Sequence, residues 1–257
     1  MRRREFIAGL GGAAAWPVVA RAQQATMPVI GLLMTTSREA NLGRLAAFRE
    51  GLNRTGYVEM RSVAIEYRWA DGKYERLPAL AAELVRRRVN VIVAGPGIPA
   101  ALAAKSATTT IPIVFQSGAD PVEAGLVANL AQPGGHMTGV TNLDAKLGPK
   151  QLEILHELMP MANSIALLVN PANPATEIVS KDMQTAARIL GLQLHLVHAS
   201  TDSDLDMVFA ALIQSPAGGL VIAPDPFFGS RIERLAALAT RHAVPTIYRP
   251  ISRRLAA

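Results

Sequence analysis

The chain has 257 residues, no cysteine and a formal net charge of +6, which excludes disulfides, thiolate metal sites and a cysteine nucleophile. Half of that charge lies in the first 22 residues, where Arg2, Arg3, Arg4 and Arg21 stand against Glu5. The basic balance is therefore no nucleic-acid footprint, because basic clusters interleaved with aromatics are absent. The opening stretch, RRREFIAGLGGAAAWPVVARAQQ, has a basic start, a soft apolar middle and a small-x-small site at Ala20-Arg21-Ala22. That tripartite pattern marks 1–22 as an export signal. Its apolar middle is shorter than the roughly 20 residues of a membrane span. Arg3-Arg4-Glu5-Phe6-Ile7 resembles the twin-arginine motif, with an ordinary Sec signal as the alternative. The mature product is expected to be soluble, with no membrane insertion after signal cleavage and a periplasmic location.

From residue 28 onward, short β-branched runs alternate with alanine- and leucine-rich amphipathic stretches, the pattern of a parallel sheet covered by helices. A strand over 28–36, PVIGLLMTT, leads to a helix over 42–54 that Thr55-Gly56 stops. A strand over 62–69 and a helix over 74–88 follow. NVIVAGPG and IPIVFQSG supply two more strands, separated by a short helix near 99–107. Asp120-Pro121 is expected to start another helix, and HMTGVTNL closes the first half.

The second half opens with a helix over 149–158 and repeats the plan. SIALLVNPANP matches PVIGLLMTTSR, LQLHLVHAS matches SVAIEYRWA, GGLVIAPDPF matches VNVIVAGPGI, and AVPTIYR matches TIPIVFQ. The offsets run from about 129 to 135, and four strands matching in order point to a duplicated architecture. A proline opens the last strand of each half, a position where its missing N–H is tolerated. The expected organisation is an α/β lobe over 28–142, a second over 143–249, and a short tail over 250–257.

Ligands of open parallel sheets sit beyond the carboxyl ends of the strands, and two such ends facing each other form a cleft that closes by hinge motion. The candidate ligand-binding residues are therefore Met34, Thr35, Thr36, Gly95, Pro96, Gln116, Ser117, Asp120, Asn170, Asp225 and Tyr248. Hydroxyls, amides and carboxylates among them suit a small polar solute, while Met34, Phe227, Phe228 and Tyr248 offer apolar walls. Local duties compete at several positions. Asp120-Pro121, Asn173-Pro174 and Asp225-Pro226 also read as a helix cap followed by proline in the first turn. Gly95 and Gly97 also suit a tight turn. Gln116-Ser117 has the least local duty and is the strongest ligand-contact pair.

Catalytic signatures are lacking. Gly95-x-Gly97 has no third glycine and follows the third strand rather than the first. His195 and His198 are three apart on a strand and point to opposite faces, so they cannot share a metal. His156-Glu157 has no second histidine at helical spacing, and no Gly-x-Ser-x-Gly elbow occurs. No catalytic residue, cofactor or metal is expected. An exported α/β enzyme with an unrecognised cofactor, or an inactive remnant, are the rival readings.

The stretches IPIVFQSGADPVEAGLVANLAQPGGHMTGVTN, ALLVNPANP and VIAPDPFF resemble ABC transporter substrate-binding proteins, specifically the tryptophan/phenylalanine-binding-like group, over about 28–248. The resemblance implies a two-lobed type I periplasmic-binding fold, each lobe a parallel sheet flanked by helices. It implies solute capture in the inter-lobe cleft by hinge closure, and delivery to an ABC permease in the inner membrane. It does not by itself carry over an aromatic specificity, for which only Tyr248 and Phe227-Phe228 speak. Members of that family usually continue after the PTIYR strand with a glycine-rich return segment. Here PISRRLAA follows instead, so the return segment is expected to be missing through truncation, or the chain is a natural short variant.

Overall fold

A computed structural model describes residues 27–214 and 217–248. The export signal expected over 1–22 and the tail over 250–257 lie outside the described residues. The first sheet has five parallel strands in the order β2-β1-β3-β4-β5: β1 Val29–Met34, β2 Ala64–Trp69, β3 Val91–Gly95, β4 Ile113–Ser117 and β5 Met137–Thr141. The second has four, in the order β7-β6-β8-β9: β6 Ser164–Val169, β7 Gln193–His198, β8 Leu220–Ile222 and β9 Thr246–Ile247. The order β2-β1-β3-β4 thus recurs as β7-β6-β8-β9, strand for strand as the sequence correspondences require.

Helices cover both faces of each sheet. In the first lobe, α1 (Leu42–Arg54) lies on one face, and α2 (Leu77–Arg86) and α3 (Ile98–Ala107) on the other. In the second, α4 (Gly148–Leu158) and α5 (Thr176–Ile189) take one face. The other carries α6 (Asp202–Leu212), the short α7 (Pro226–Ser230) and α8 (Ile232–Arg241). Alternate residues of β1 divide between the faces. Ile30, Leu32 and Met34 pack with Leu45 of α1, while Leu33 joins Leu77, Ala81 and Leu84 of α2. Such period-2 sorting is what a strand buried on both sides demands.

The helix ends follow local chemistry. α1 stops at Thr55 and Gly56, the latter at φ +85, with Tyr57 N–H bonded to the Leu52 carbonyl. Its counterpart α5 stops the same way, with Gly191 at φ +69 and Leu192 N–H on the Ala187 carbonyl. Left-handed backbone favours glycine at these helix stops because it has no Cβ to clash. Proline opens α2, α3, α4 and α7 within the first two positions, where an N–H would lack an intrahelical partner anyway. α6 carries a capping box: Thr201 accepts from Asp204 N–H while the Asp204 carboxylate accepts from Thr201 N–H.

Three sequence expectations need correction. The expected helix at Asp120-Pro121 is a series of turns; Ala124 N–H bonds the Asp120 carbonyl, and Gly125 at φ +68 turns the chain away. Asn173 does not cap α5, which begins three residues later; its side chain accepts from Ala175 N–H in the preceding turn. The helix expected over 74–88 is a 3-10 turn over Tyr74–Arg76 followed by α2, with Arg88 at φ +53 beyond its end. His195 pairs with Ala166 and His198 with Val169, neighbours that pack into opposite faces of the sheet.

Candidate functional site

The carboxyl ends of the two sheets meet. A continuous buried cluster runs from Leu33, Ala94 and Ile98 of the first lobe through Tyr74, Phe227 and Phe228 to Leu168 and Ile222 of the second. At its polar end sits Asp225, the N-cap of α7, whose side chain accepts from Phe227 N–H at 2.8 Å and Phe228 N–H at 3.4 Å. Asn170, just beyond β6, donates to Asp225 Oδ1 at 3.2 Å, and Asn173 donates to Oδ2 at 2.7 Å. From the first lobe, the Tyr74 hydroxyl donates to Asp225 Oδ1 at 3.1 Å and accepts from Phe227 N–H at 3.1 Å. Asp225 therefore caps a helix, as the sequence reading has it, and also anchors a cross-lobe network.

Burial pushes the Asp225 carboxyl above the usual carboxylate range, against the opposing pull of the Asn173, Asn170 and Tyr74 hydrogen bonds. Burial, followed by the adjacent Asp225 charge, raises the Tyr74 phenol far above its ordinary value, which keeps it a protonated donor. The asparagines are themselves fixed. Asn170 Oδ1 accepts from Ala172 N–H, Asn173 Oδ1 from Ala175 N–H, and the Thr176 hydroxyl donates to the Asn170 carbonyl.

Two first-lobe loops face this cluster, and Thr35 ties them together. Its hydroxyl donates to the Pro96 carbonyl at 3.0 Å, and its own carbonyl accepts from Gly72 N–H at 2.8 Å. Gly97, at φ +91, comes so close to the second lobe that a Cβ there would lie 2.7 Å from Pro226 Cγ. Gly72 approaches the second lobe less closely, a Cβ there lying 3.3 Å from Phe227 Cδ2 and 3.6 Å from Arg231 Nη1. The Arg231 guanidinium stacks 4.1 Å from the Phe227 ring centroid and is held by Asp202 at 2.8 Å and Ser230 at 2.7 Å. The Gly95–Pro96 peptide preceding Gly97 is cis.

The other candidates take different places. Met34 packs into the apolar cluster beneath α1. Thr36 accepts from Asn41 Nδ2 and steadies the start of α1. Gly95 backs onto Gln116. Ser117, fully buried, closes its own turn by donating to the Ala119 carbonyl and accepting from Ala119 N–H. Gln116 is exposed on the outer face of β4, beside Val114 and opposite Val140. Asp120 binds Val122 N–H at 2.9 Å within its own turn, and Tyr248 packs half-buried against the shared core. Thus Thr35, Pro96, Asn170 and Asp225 lie at the junction, whereas the Gln116-Ser117 pair does not. Tyr74, Gly72, Gly97 and Arg231 complete the junction. The loop after β2 that carries Tyr74 would have been found by extending the strand-end rule to that strand.

A cavity beside Asp225, lined by Asn170, Asn173, Thr176 and Pro224, measures about 10 Å³, room for about one water. A larger open groove of about 490 Å³ lies at the amino ends of β6 and β7, lined by Met159, Asn163, Ser164, Gln193 and Gly218. It is at the wrong end of the strands for the ligand site of a parallel sheet.

Residues 18–250 match the family of ABC transporter substrate binding proteins. The chain belongs to that family. A tyrosine-binding protein of Clostridioides difficile is 26% identical to this substrate-binding protein over 200 residues, which span 78% of this chain and 57% of the relative's length. A conserved domain protein of Vibrio cholerae superposes with a TM-score of 0.76 at 26% identity, covering 86% of this chain and 73% of that one. An ABC domain from Streptococcus pneumonia, solved in complex with L-Trp, superposes with a TM-score of 0.73 at 21% identity, covering 88% and 74%. The fold is accordingly the type I periplasmic-binding fold, and the Clostridioides difficile and Streptococcus relatives are described by what they bind rather than by a reaction.

Proposed function

We propose that this substrate-binding protein is the exported, solute-capturing component of an ABC importer, and that its solute is an α-amino acid held between the two lobes. The lobes are 28–142 and 143–249, and hinge motion between them admits and encloses the solute. The observation that carries the reading is Asp225: a carboxylate at the lobe junction, steadied by two asparagines and reached from both lobes. It is suited to receive an ammonium group through charge-assisted hydrogen bonds. The solute's carboxylate is received by the loop after β1, 35–37, and its side chain by apolar surface near Phe227. The names of the Clostridioides difficile and Streptococcus relatives, which bind tyrosine and L-Trp, favour an aromatic amino acid. The export signal over 1–22 delivers the chain to the periplasm, where the closed, loaded form docks on its permease. Among the described residues no helix is long and apolar enough to cross a membrane.

Calorimetric titration of the purified chain with aromatic and aliphatic amino acids, and with their des-amino analogues, tests the reading. Binding of one amino-acid class is expected, with its des-amino analogue and the Asp225→Asn variant each weakened by at least about tenfold, since a hydrogen bond to a charged group contributes roughly 1.5–3 kcal/mol. Equal binding of amino and des-amino forms would overturn it.

A further inference from the structure

We infer that Arg44 is the residue that fixes the solute's carboxylate, and so sets a preference for acids over their amides. The inference rests on the amino-acid reading above for the rest of the solute; the assignment of a carboxylate to Arg44 rests on the surroundings of its guanidinium. Arg44 is the third residue of α1 and is half-buried. Among the described residues the other half-buried cations are Arg49, Arg68 and Arg231. Each pairs with a carboxylate: Arg49 with Glu59 at 2.7 Å, Arg68 with Glu83 at 2.8 Å and Arg231 with Asp202 at 2.8 Å. Arg44 has no such partner among them. Its side chain donates from Nη1 to the neutral Asn41 Oδ1 at 3.2 Å, and the other N–H groups of its five-donor fork are uncommitted among the described residues. Glu39, the acidic residue nearest to it in sequence, bonds its own backbone and Ser37 instead.

A cation withdrawn from water without a counter-charge is destabilising, and burial alone pushes the Arg44 guanidinium below its ordinary value. The first turn of a helix is also the wrong end for a cation, because the macrodipole is positive there. Such local conflicts are expected at functional sites, and a bound anion relieves both at once. The surroundings hold the fork in place. Asn41, fully buried at the start of α1, does not cap the helix. Its Nδ2 donates to Thr36 Oγ1 and to the Ser37 carbonyl, each at 2.7 Å, while its Oδ1 accepts from Arg44. The guanidinium is thereby tied to the loop after β1, whose Thr35 binds the loops carrying Pro96 and Gly72. Those loops reach the second lobe through Gly97 and Tyr74. Arg44 thus stands at the carboxyl edge of the first sheet, where the ligands of parallel sheets bind. A planar guanidinium takes a carboxylate bidentately, an arrangement that a neutral amide does not reproduce.

Calorimetric titration with L-tyrosine, L-tryptophan and L-leucine, each beside its amide and its des-amino acid, tests the inference on the purified chain and three variants. These are Arg44→Met, Arg44→Lys and, as a control for net charge, Arg38→Met at an exposed position of the same loop. The parent is expected to bind its amino acid at least about tenfold more tightly than the amide, the difference made by hydrogen bonds to a charged group. Arg44→Met is expected to lose that preference, binding the acid at least about tenfold more weakly and the amide as the parent does. Arg44→Lys is expected to keep part of the preference and Arg38→Met all of it. Thermal melts without solute separate this role from a structural one: removing an uncompensated charge is expected to leave Arg44→Met melting at or above the parent, whereas losing a structural bond would lower it. An acid-to-amide ratio in Arg44→Met equal to the parent's would overturn the inference and leave the amino-acid reading standing. Loss of the ratio in Arg44→Met, with amino and des-amino acids binding the parent equally, would uphold the inference and overturn the amino-acid reading instead. No saturable binding of any of these acids by the parent would overturn both.

Discussion

Gly97 and Asp225 show how single residues govern the junction. Gly97 is at φ +91 with Pro226 where its Cβ would be, so Gly97→Ala meets both backbone strain and a cross-lobe clash. A loss of roughly 1–3 kcal/mol is expected, read as a melting temperature lower by several degrees. Asp225 makes a sharper prediction through pH. Its carboxyl is raised in the folded protein, chiefly by burial, so the folded state holds the proton more tightly than the unfolded chain. Its contribution is full below the unfolded value of about 3.9 and is lost as pH rises through the folded value. The melting temperature of the wild type minus that of Asp225→Asn is therefore expected to be larger at pH 4 than at pH 7.5. Equal differences at the two pH values would show that burial does not govern this carboxyl.

At the level of elements, the local signals were legible in the sequence and the distant pairings were not. The alternation of apolar runs, the glycine stops of α1 and α5 and the prolines opening α3, α4 and α7 are written within a few residues of where they act. So was the Asp225-Pro226 cap. The Asp120-Pro121 cap misled because its first turn is real but Gly125 prevents continuation. Ser117 misled for a related reason: its hydroxyl serves its own turn, a duty no pattern announces. Tyr74 was invisible because it reads as an ordinary helix start, and its partner lies in the other half of the chain. The capping box of α6 gives a test at this scale. Thr201→Ala is expected to cost about 1 kcal/mol and a few degrees of melting temperature, with solute binding unchanged. The uneven cover of the first sheet gives another. α1 shields β1 and β2, but Val114 and Val140 on the same face are 39% and 66% exposed. Val140→Thr is expected to leave stability within about 0.5 kcal/mol and to reduce self-association at high concentration, measured by light scattering.

For the whole molecule, the repeated strand order sets two carboxyl edges face to face, and the chemistry gathers where they meet. The lobes touch through Tyr74 and Asp225, Gly97 and Pro226, and Gly72 and Arg231, beside the buried apolar cluster that runs from Ile98 through Phe227 and Phe228. Binding energy is then the difference between those contacts and the ones a solute offers in their place. The most direct measurement is a thermal melt of the purified chain, alone and with a panel of amino acids. A solute binding only the folded state stabilises it by about 2.7 kcal/mol at a hundred times its Kd. A chain of this size should then gain roughly 5–10 °C. A saturable upward shift with one class of amino acid, absent with its des-amino analogue and in Asp225→Asn, is the expected result. A cooperative melt that no amino acid moves at millimolar concentration would contradict the account.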